Sequence, residues 1–172
     1  MISKINVLDI IRDHLQTLVH EHNGQRSMGD YFLFFGLPTI VAGLLLGFKG
    51  VFGSNIGGIL ITAFSIFAAL LFNLLLLVYD IVKKTEELLK RRFLKDIYSN
   101  ISYAVFISIA LIILLLAYFV TMTSDKLVIA RYVLALFVYI LSGNFVLSML
   151  MILRRIHYLL AKEFQSLQPS QK

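Results

Sequence analysis

The chain has no cysteine among its 172 residues, and charged side chains make up only 15% of it. The first absence removes disulfide frameworks, thiolate zinc sites, iron–sulfur ligation and thiol nucleophiles together. The second excludes a water-soluble fold. An ordinary soluble domain carries about 25% charge, and so few polar groups could not cover the surface of a globule this size. Catalytic motifs are missing as well: there is no HExxH, no GxSxG and no glycine loop ahead of a basic residue. No histidine and no pair of carboxylates falls within an apolar run. An enzyme is therefore not expected. Ion-coupled transport usually needs a titratable or oxygen-rich site at the bilayer midplane, and Asp80 lies at the boundary of its run instead.

What is present is apolar: 59% of the side chains and a mean hydropathy of +0.84. Four runs are nearly free of charge, at residues 31–48, 56–82, 99–121 and 127–153. Only Asp80 and Arg131 are charged within them, each near an end. At about 1.5 Å per residue the first run reaches about 27 Å, just enough for a hydrocarbon core. The pattern predicts an all-α membrane protein with four transmembrane helices in two hairpins, preceded by an amphipathic helix. The organisation expected is an amphipathic N-terminal segment 1–30, a transmembrane domain 31–153 containing a helical connection at 83–98, and a tail 154–172. The first run follows a mixed-charge segment and lacks the layout of a cleaved signal peptide, so the N-terminus is expected to be retained.

The basic residues set the orientation. Lys4, Arg12 and Arg26 precede the first run; Lys83, Lys84, Lys90, Arg91, Arg92 and Lys95 lie between the second and third; Arg154, Arg155, Lys162 and Lys172 follow the fourth. The opposite side has Lys49, Lys126 and Arg131 only. The positive-inside rule places both termini and the 83–98 connection in the cytoplasm. The connections at 49–55 and 122–126 are too short for an outer receptor or catalytic domain. The 83–98 connection contains neither Gly nor Pro, so the second and third spans are expected to continue as helices beyond the membrane and turn there. Its basic cluster suits anionic lipid, an acidic partner or a phosphorylated ligand. It lacks the aromatic alternation of a nucleic-acid surface, so nucleic acid is not an expected partner.

Ile5, Leu8, Ile11, Leu15 and Leu18 recur at spacings of three and four, with Lys4, Asp9, Arg12, Asp13 and Gln16 mostly elsewhere and Asn23–Gly24 as a stop. This predicts a helix over residues 2–22 that lies on headgroups, packs on the bundle or docks a partner. His20 and His22 flank Glu21 near His14. Residues two apart on a helix point about 200° from each other and cannot share an ion. No metal and no cofactor is expected, and His157 beside Arg154 and Arg155 reads as interfacial.

Within the spans, Gly43 and Gly47 form a small-xxx-small pair with Gly36 nearly in line, a surface for close helix approach. Pro38 frees a backbone carbonyl one turn back. In the second span Gly58, Thr62, Ser65, Ala69, Asn73, Leu76 and Asp80 share an arc of about 80° at 100° per residue. Acyl tails would penalise Asn73 and Asp80, so the arc is expected to face protein or water, either packed between helices or lining a wet, oligomeric pathway. Asn144 and Ser148 form a polar strip in the fourth span, and Asn100, Ala104 and Ser108 a shorter one in the third. Asn73 and Asn144 fall at similar depth, within reach of pairing across helices or subunits.

The strings Asp30–Tyr31, Phe34–Phe35–Gly36–Leu37–Pro38 and Leu70 to Asp80 (LLFNLLLLVYD), with the basic connection and four spans, resemble small four-span membrane proteins of bacterial antiphage defence operons. The resemblance implies a location in the cell inner membrane and a homo-oligomer with a cytosolic protein partner. Its implied activity is that of a membrane-disrupting or pore-forming effector. The alternatives are a sensor or scaffold like the membrane subunit of the Kiwa system, or a small channel or transporter.

Overall fold

Long runs of Leu, Ile, Phe and Val offer the backbone no polar side chains to bond, so its N–H and C=O groups must satisfy one another along the chain. The computed structural model describes residues 7–17, 29 and 32–167, and every element among them is helical. Helix α1 is Val7–Gln16. A π-helical turn, Phe32–Gly36, leads into α2, Leu37–Lys49. Helix α3 is Ser54–Lys84, α4 is Leu88–Met122 and α5 is Val128–Leu167.

The breaks have local causes. Gly50 ends α2 at φ 68°, in the left-handed region where a side chain would be strained. Between α3 and α4 only residues 85–87 leave the helix, with Thr85 and Glu87 extended, so the two helices continue into the basic connection and turn inside it as expected. A short 3₁₀ turn, Asp125–Leu127, joins α4 to α5. Arg131 donates to the carbonyls of Thr121 at 2.8 Å and Ser124 at 3.4 Å, placing a cation on the orphan carbonyls at the end of α4.

Helices α2, α5, α4 and α3 pack in that order as a row, with α1 laid against α4. The interior is built on α4, where Ile97, Ile101, Ala104, Leu111, Leu115 and Tyr118 are buried. Helix α3 presents Gly57, Phe64, Leu71 and Val78 to it at intervals of seven. Two glycines permit the closest approaches. A Cβ on Gly57 would stand 2.8 Å from the ring of Phe119, and one on Gly143 3.0 Å from Pro38. At the end away from the basic connection Phe52 folds inward, stacked on Tyr118 at 4.3 Å and edge-on to Tyr139 at 5.6 Å.

Several expectations are met only in part. Helices α2 and α3 follow each other in sequence but do not pack together, because Gly143 takes Pro38 and seats α2 on α5. The first expected hairpin is therefore not a packed pair. Among the described residues three helices are long and apolar enough to cross a membrane, at 54–84, 90–122 and 128–161. The apolar helix Phe32–Phe48 has 17 residues, about 25 Å against a core of about 30 Å. The tail is not separate from the fourth run, since α5 continues unbroken from it to Leu167. Of the helix expected over 2–22, α1 covers 7–16. His20, Glu21, His22, the Asn23–Gly24 stop and Asp30–Tyr31 lie outside the described residues.

Candidate functional site

Helix α1 turns Ile10, Ile11 and Leu15 toward the interior and leaves Leu8 exposed. Between those apolar residues His14 is completely buried. Its ring lies flat on Tyr103 of α4, with centroids 3.8 Å apart and planes 3° from parallel, and Phe34 tilts against it at 5.1 Å. Asn100 presents its Oδ1 to His14 Nδ1 at 2.9 Å. Nδ1 therefore carries the proton and donates it. Thr17 Oγ1 stands 2.8 Å from the same Oδ1 and 2.7 Å from the His14 carbonyl, with one proton to donate. The far atoms of the pair, His14 Nε2 and Asn100 Nδ2, are buried and have no hydrogen-bond partner among the described residues.

Burial moves the His14 pKa down from 6.5 to about 4. Loss of hydration is the main cause; the bond to Asn100 opposes it and the nearby Arg155 cation adds to it. The imidazole is accordingly neutral at pH 7. Arg155 of α5 closes this end of the site. It donates to the carbonyl of Thr17 at 2.9 Å and pairs with Asp96 of α4 at 3.3 Å.

The network continues inward through Tyr103, whose hydroxyl donates to Asn144 Oδ1 at 2.9 Å. Asn144 Nδ2 in turn donates to the carbonyl of Phe34 at 3.2 Å. That carbonyl is four residues before Pro38, which has no N–H to return. The carbonyl that the sequence predicts to be freed by proline is thus the one that Asn144 satisfies. Ser148 donates to the carbonyl of Asn144 at 3.0 Å. Six residues on α1, the turn after it, α4 and α5 therefore form one buried polar path from His14 to the start of α2. It positions elements, and it brings no nucleophile and base together. Among the described residues no group of three potential ligands could hold a metal ion.

The residues singled out from the sequence divide sharply. Asn144 and Ser148 lie in the network, and Asn100, Ala104 and Ser108 are all completely buried. The arc on α3 is not packed against the described residues: Thr62, Ser65, Ala69, Asn73, Leu76 and Asp80 are exposed and Gly58 is half-buried. It lies nearly opposite the Gly57, Phe64, Leu71 and Val78 seam because those residues already meet α4. Thr62 and Ser65 donate back to the carbonyls of Gly58 and Ile61, so their hydroxyls need no outside partner. The Asn73 amide makes no hydrogen bond among the described residues, and it does not meet Asn144. Gly43 and Gly47 are exposed with nothing within 4 Å of an added Cβ. Their face is open, because α2 leans on α5 through Pro38 instead. Lys83, Lys84, Arg91, Arg92 and Lys95 are exposed and Lys90 is half-buried.

The sequence reading missed Thr17 and Tyr103 as network members and Arg155 as the residue that closes the site, and assigned His14 only to a rejected metal cluster. The available signal was its spacing: His14 falls three and four residues from Ile11 and Ile10, on the apolar stripe.

No family model matches the chain, and no curated protein or solved structure matches it either.

Proposed function

We propose that the chain is a multi-pass inner-membrane protein that assembles with itself through the outer face of α3. In this reading both termini and the basic connection are cytoplasmic, and the assembly acts as a membrane-disrupting effector of bacterial antiphage defence under a cytosolic partner. The carrying observation is Asn73: its amide stands exposed on a helix apolar enough to cross a membrane, with no hydrogen-bond partner among the described residues. Hydrocarbon cannot satisfy that amide, whereas the same residue of a second copy can, at a gain of about 0.5–2 kcal/mol. The small side chains around it, Gly58, Ser65 and Ala69, permit close approach. Outward Ile59, Ile66, Phe72 and Leu77 on the same helix suit lipid rather than water. Helix Phe32–Phe48 serves as a short fourth crossing, since the chain passes from His14 beside Arg155 at the basic end to Phe52 beside Tyr118 at the other. The assignment to defence rests on the resemblance in the strings around Phe34–Pro38 and Leu70–Asp80.

The absence of native cysteine gives a clean test. Ser65→Cys and Asn73→Cys are expected to crosslink between copies in native membranes, and Ile113→Cys on the outer side of α4 is not. Induced expression is expected to depolarise cells, and Asn73→Leu to insert normally but leave the potential intact. Monomeric Cys variants would remove the assembly. Crosslinking with a normal membrane potential would instead favour the scaffold reading, in which the exposed Leu88 among Lys84, Arg91 and Arg92 receives the cytosolic partner.

A further inference from the structure

A groove of about 370 Å³ opens between α1, α3 and α4, outside the His14 network and away from the α3 arc. Its volume is that of a small-ligand site, and its chemistry changes along its length. Asp13 of α1, next to the His14 that bonds Asn100, and Ser99 of α4 line it toward the basic connection, and Phe106 and Ile109 line it further along α4, with Asp9, Phe72 and Leu75 also in its wall. From Tyr98 to Ile109 the α4 wall rises about 16 Å, close to the roughly 15 Å of one leaflet's hydrocarbon. The acidic end is level with the basic connection and the apolar end approaches the middle of the helices. A site of this form fits one molecule with a cationic head and an acyl tail.

Ser99 supplies a second, independent sign of a ligand. It is only 7% exposed, borders the groove and makes no hydrogen bond among the described residues. Neighbouring hydroxyls behave differently: Ser102 donates to the Tyr98 carbonyl and Ser108 to that of Val105. The Ser99 Oγ is not among the fully enclosed polar atoms, so this hydroxyl opens into the groove, where the polar group of a ligand can complete it.

We propose that this groove holds one phosphatidylethanolamine molecule of the surrounding bilayer, its ammonium group at Asp13 and Ser99 and an acyl chain along Phe72, Phe106 and Ile109. The inference rests on the bilayer reading above but not on self-assembly or on the effector role. Charge decides the lipid. The exposed Lys83, Lys84, Arg91, Arg92 and Lys95 draw anionic headgroups to this end of the protein, so a preference for the amine lipid must come from a local negative site, which Asp13 provides.

The experiment uses the full chain in nanodiscs of equal phosphatidylethanolamine and phosphatidylglycerol, with retained lipids counted by native mass spectrometry after release into mild detergent. The wild type is expected to keep one phosphatidylethanolamine, enriched roughly fivefold over phosphatidylglycerol, the factor of one charge contact at a membrane surface. Asp13→Asn lies on an exposed position of α1, leaves the packing intact and is expected to abolish the enrichment. Asp13→Lys is expected to invert it, and Ser102→Trp, which fills the groove midway, to release the lipid. Retention of phosphatidylglycerol by the wild type, retention of no lipid, or the same ratio in Asp13→Asn would overturn the proposal. Failure of the wild type to enter nanodiscs would overturn the bilayer reading instead.

Discussion

The His14 imidazole lies parallel to the Tyr103 phenol ring at 3.8 Å, and through that pair a helix outside the apolar runs is joined to the interior of the bundle. The Tyr103 hydroxyl passes the connection to Asn144, and Asn144 passes it to the Phe34 carbonyl at the entry to α2. Two mobile possibilities, the docking of α1 and the seating of α2, are thereby tied to one path. Low dielectric strengthens each bond in it and makes every deletion costly.

His14→Ala removes the stacked ring, leaves a cavity beside Tyr103 and strands Asn100 Oδ1. The combined loss is expected to be about 2–4 kcal/mol. It should fall mainly on α1, read as a large rise in amide exchange over residues 7–17 with α4 and α5 still protected. Unchanged exchange would show that Ile10, Ile11 and Leu15 alone hold the helix.

The pH dependence follows from the neutral imidazole. With a folded pKa of about 4 against 6.5 for the free side chain, the undocked state binds more protons between those values. The contribution is fully present above pH 6.5 and is lost as pH falls toward 4, at most roughly 3 kcal/mol in all. Protection of the α1 amides, taken as observed exchange against the intrinsic rate at each pH, is therefore expected to fall about 20-fold between pH 7 and pH 5 in the wild type. His14→Phe keeps the stacking but cannot titrate, so its exchange should change only with the intrinsic chemistry.

Arg155 holds the Thr17 carbonyl and Asp96 with different branches of one planar group, a geometry the lysine ammonium cannot reproduce. Arg155→Lys is expected to loosen the end of α1 by about 1–2 kcal/mol and to speed protease cleavage after it. A rate equal to that of the wild type would show that the ion pair is replaceable.

The sequence announced the parts of the fold that depend on length and period. The charge-free runs located α3, α4 and α5, the unbroken 83–98 segment foretold helices that turn within it, and Pro38 foretold a free carbonyl. Neighbour relations were not legible in this way. A helical arc is fixed by 100° steps, yet which arc is covered depends on partners distant in sequence. Gly58 through Asp80 is small and polar, but the heptad of Gly57, Phe64, Leu71 and Val78 offered α4 more apolar area and took the inner side. Gly43 and Gly47 lost to Gly143 for a related reason. A glycine promotes close approach only where a rigid projection such as Pro38 meets it, and nothing in the span containing Gly143 identifies that match.

The glycines themselves supply a prediction. Gly43→Ala and Gly47→Ala add a methyl into open space and improve helix propensity by up to about 1 kcal/mol each, so thermal stability in detergent should hold or rise. Gly143→Leu must displace Pro38, whose ring and backbone cannot yield, and should separate α2 from α5. A site-specific crosslink between the two helices would report it, and its persistence in Gly143→Leu would contradict the packing described.

Asn144 and Tyr103 permit the strictest test of the network, because the pair can be removed one side at a time. Asn144→Leu leaves the Tyr103 hydroxyl without its acceptor and the Phe34 carbonyl without its side-chain donor, at a position where Pro38 has no N–H to give. Tyr103→Phe removes one hydroxyl and leaves Asn144 still bound to Phe34. The first change is expected to cost about 2–3 kcal/mol and the second about 1 kcal/mol. In the double variant the stranded hydroxyl is gone, so the total should be smaller than the sum of the singles by about 1 kcal/mol. Unfolding in mixed detergent, followed through the exchange protection of α4, measures all three. Strict additivity would mean that the 2.9 Å contact between Tyr103 and Asn144 carries no coupling, and α1 would then be joined to α2 by apolar packing alone.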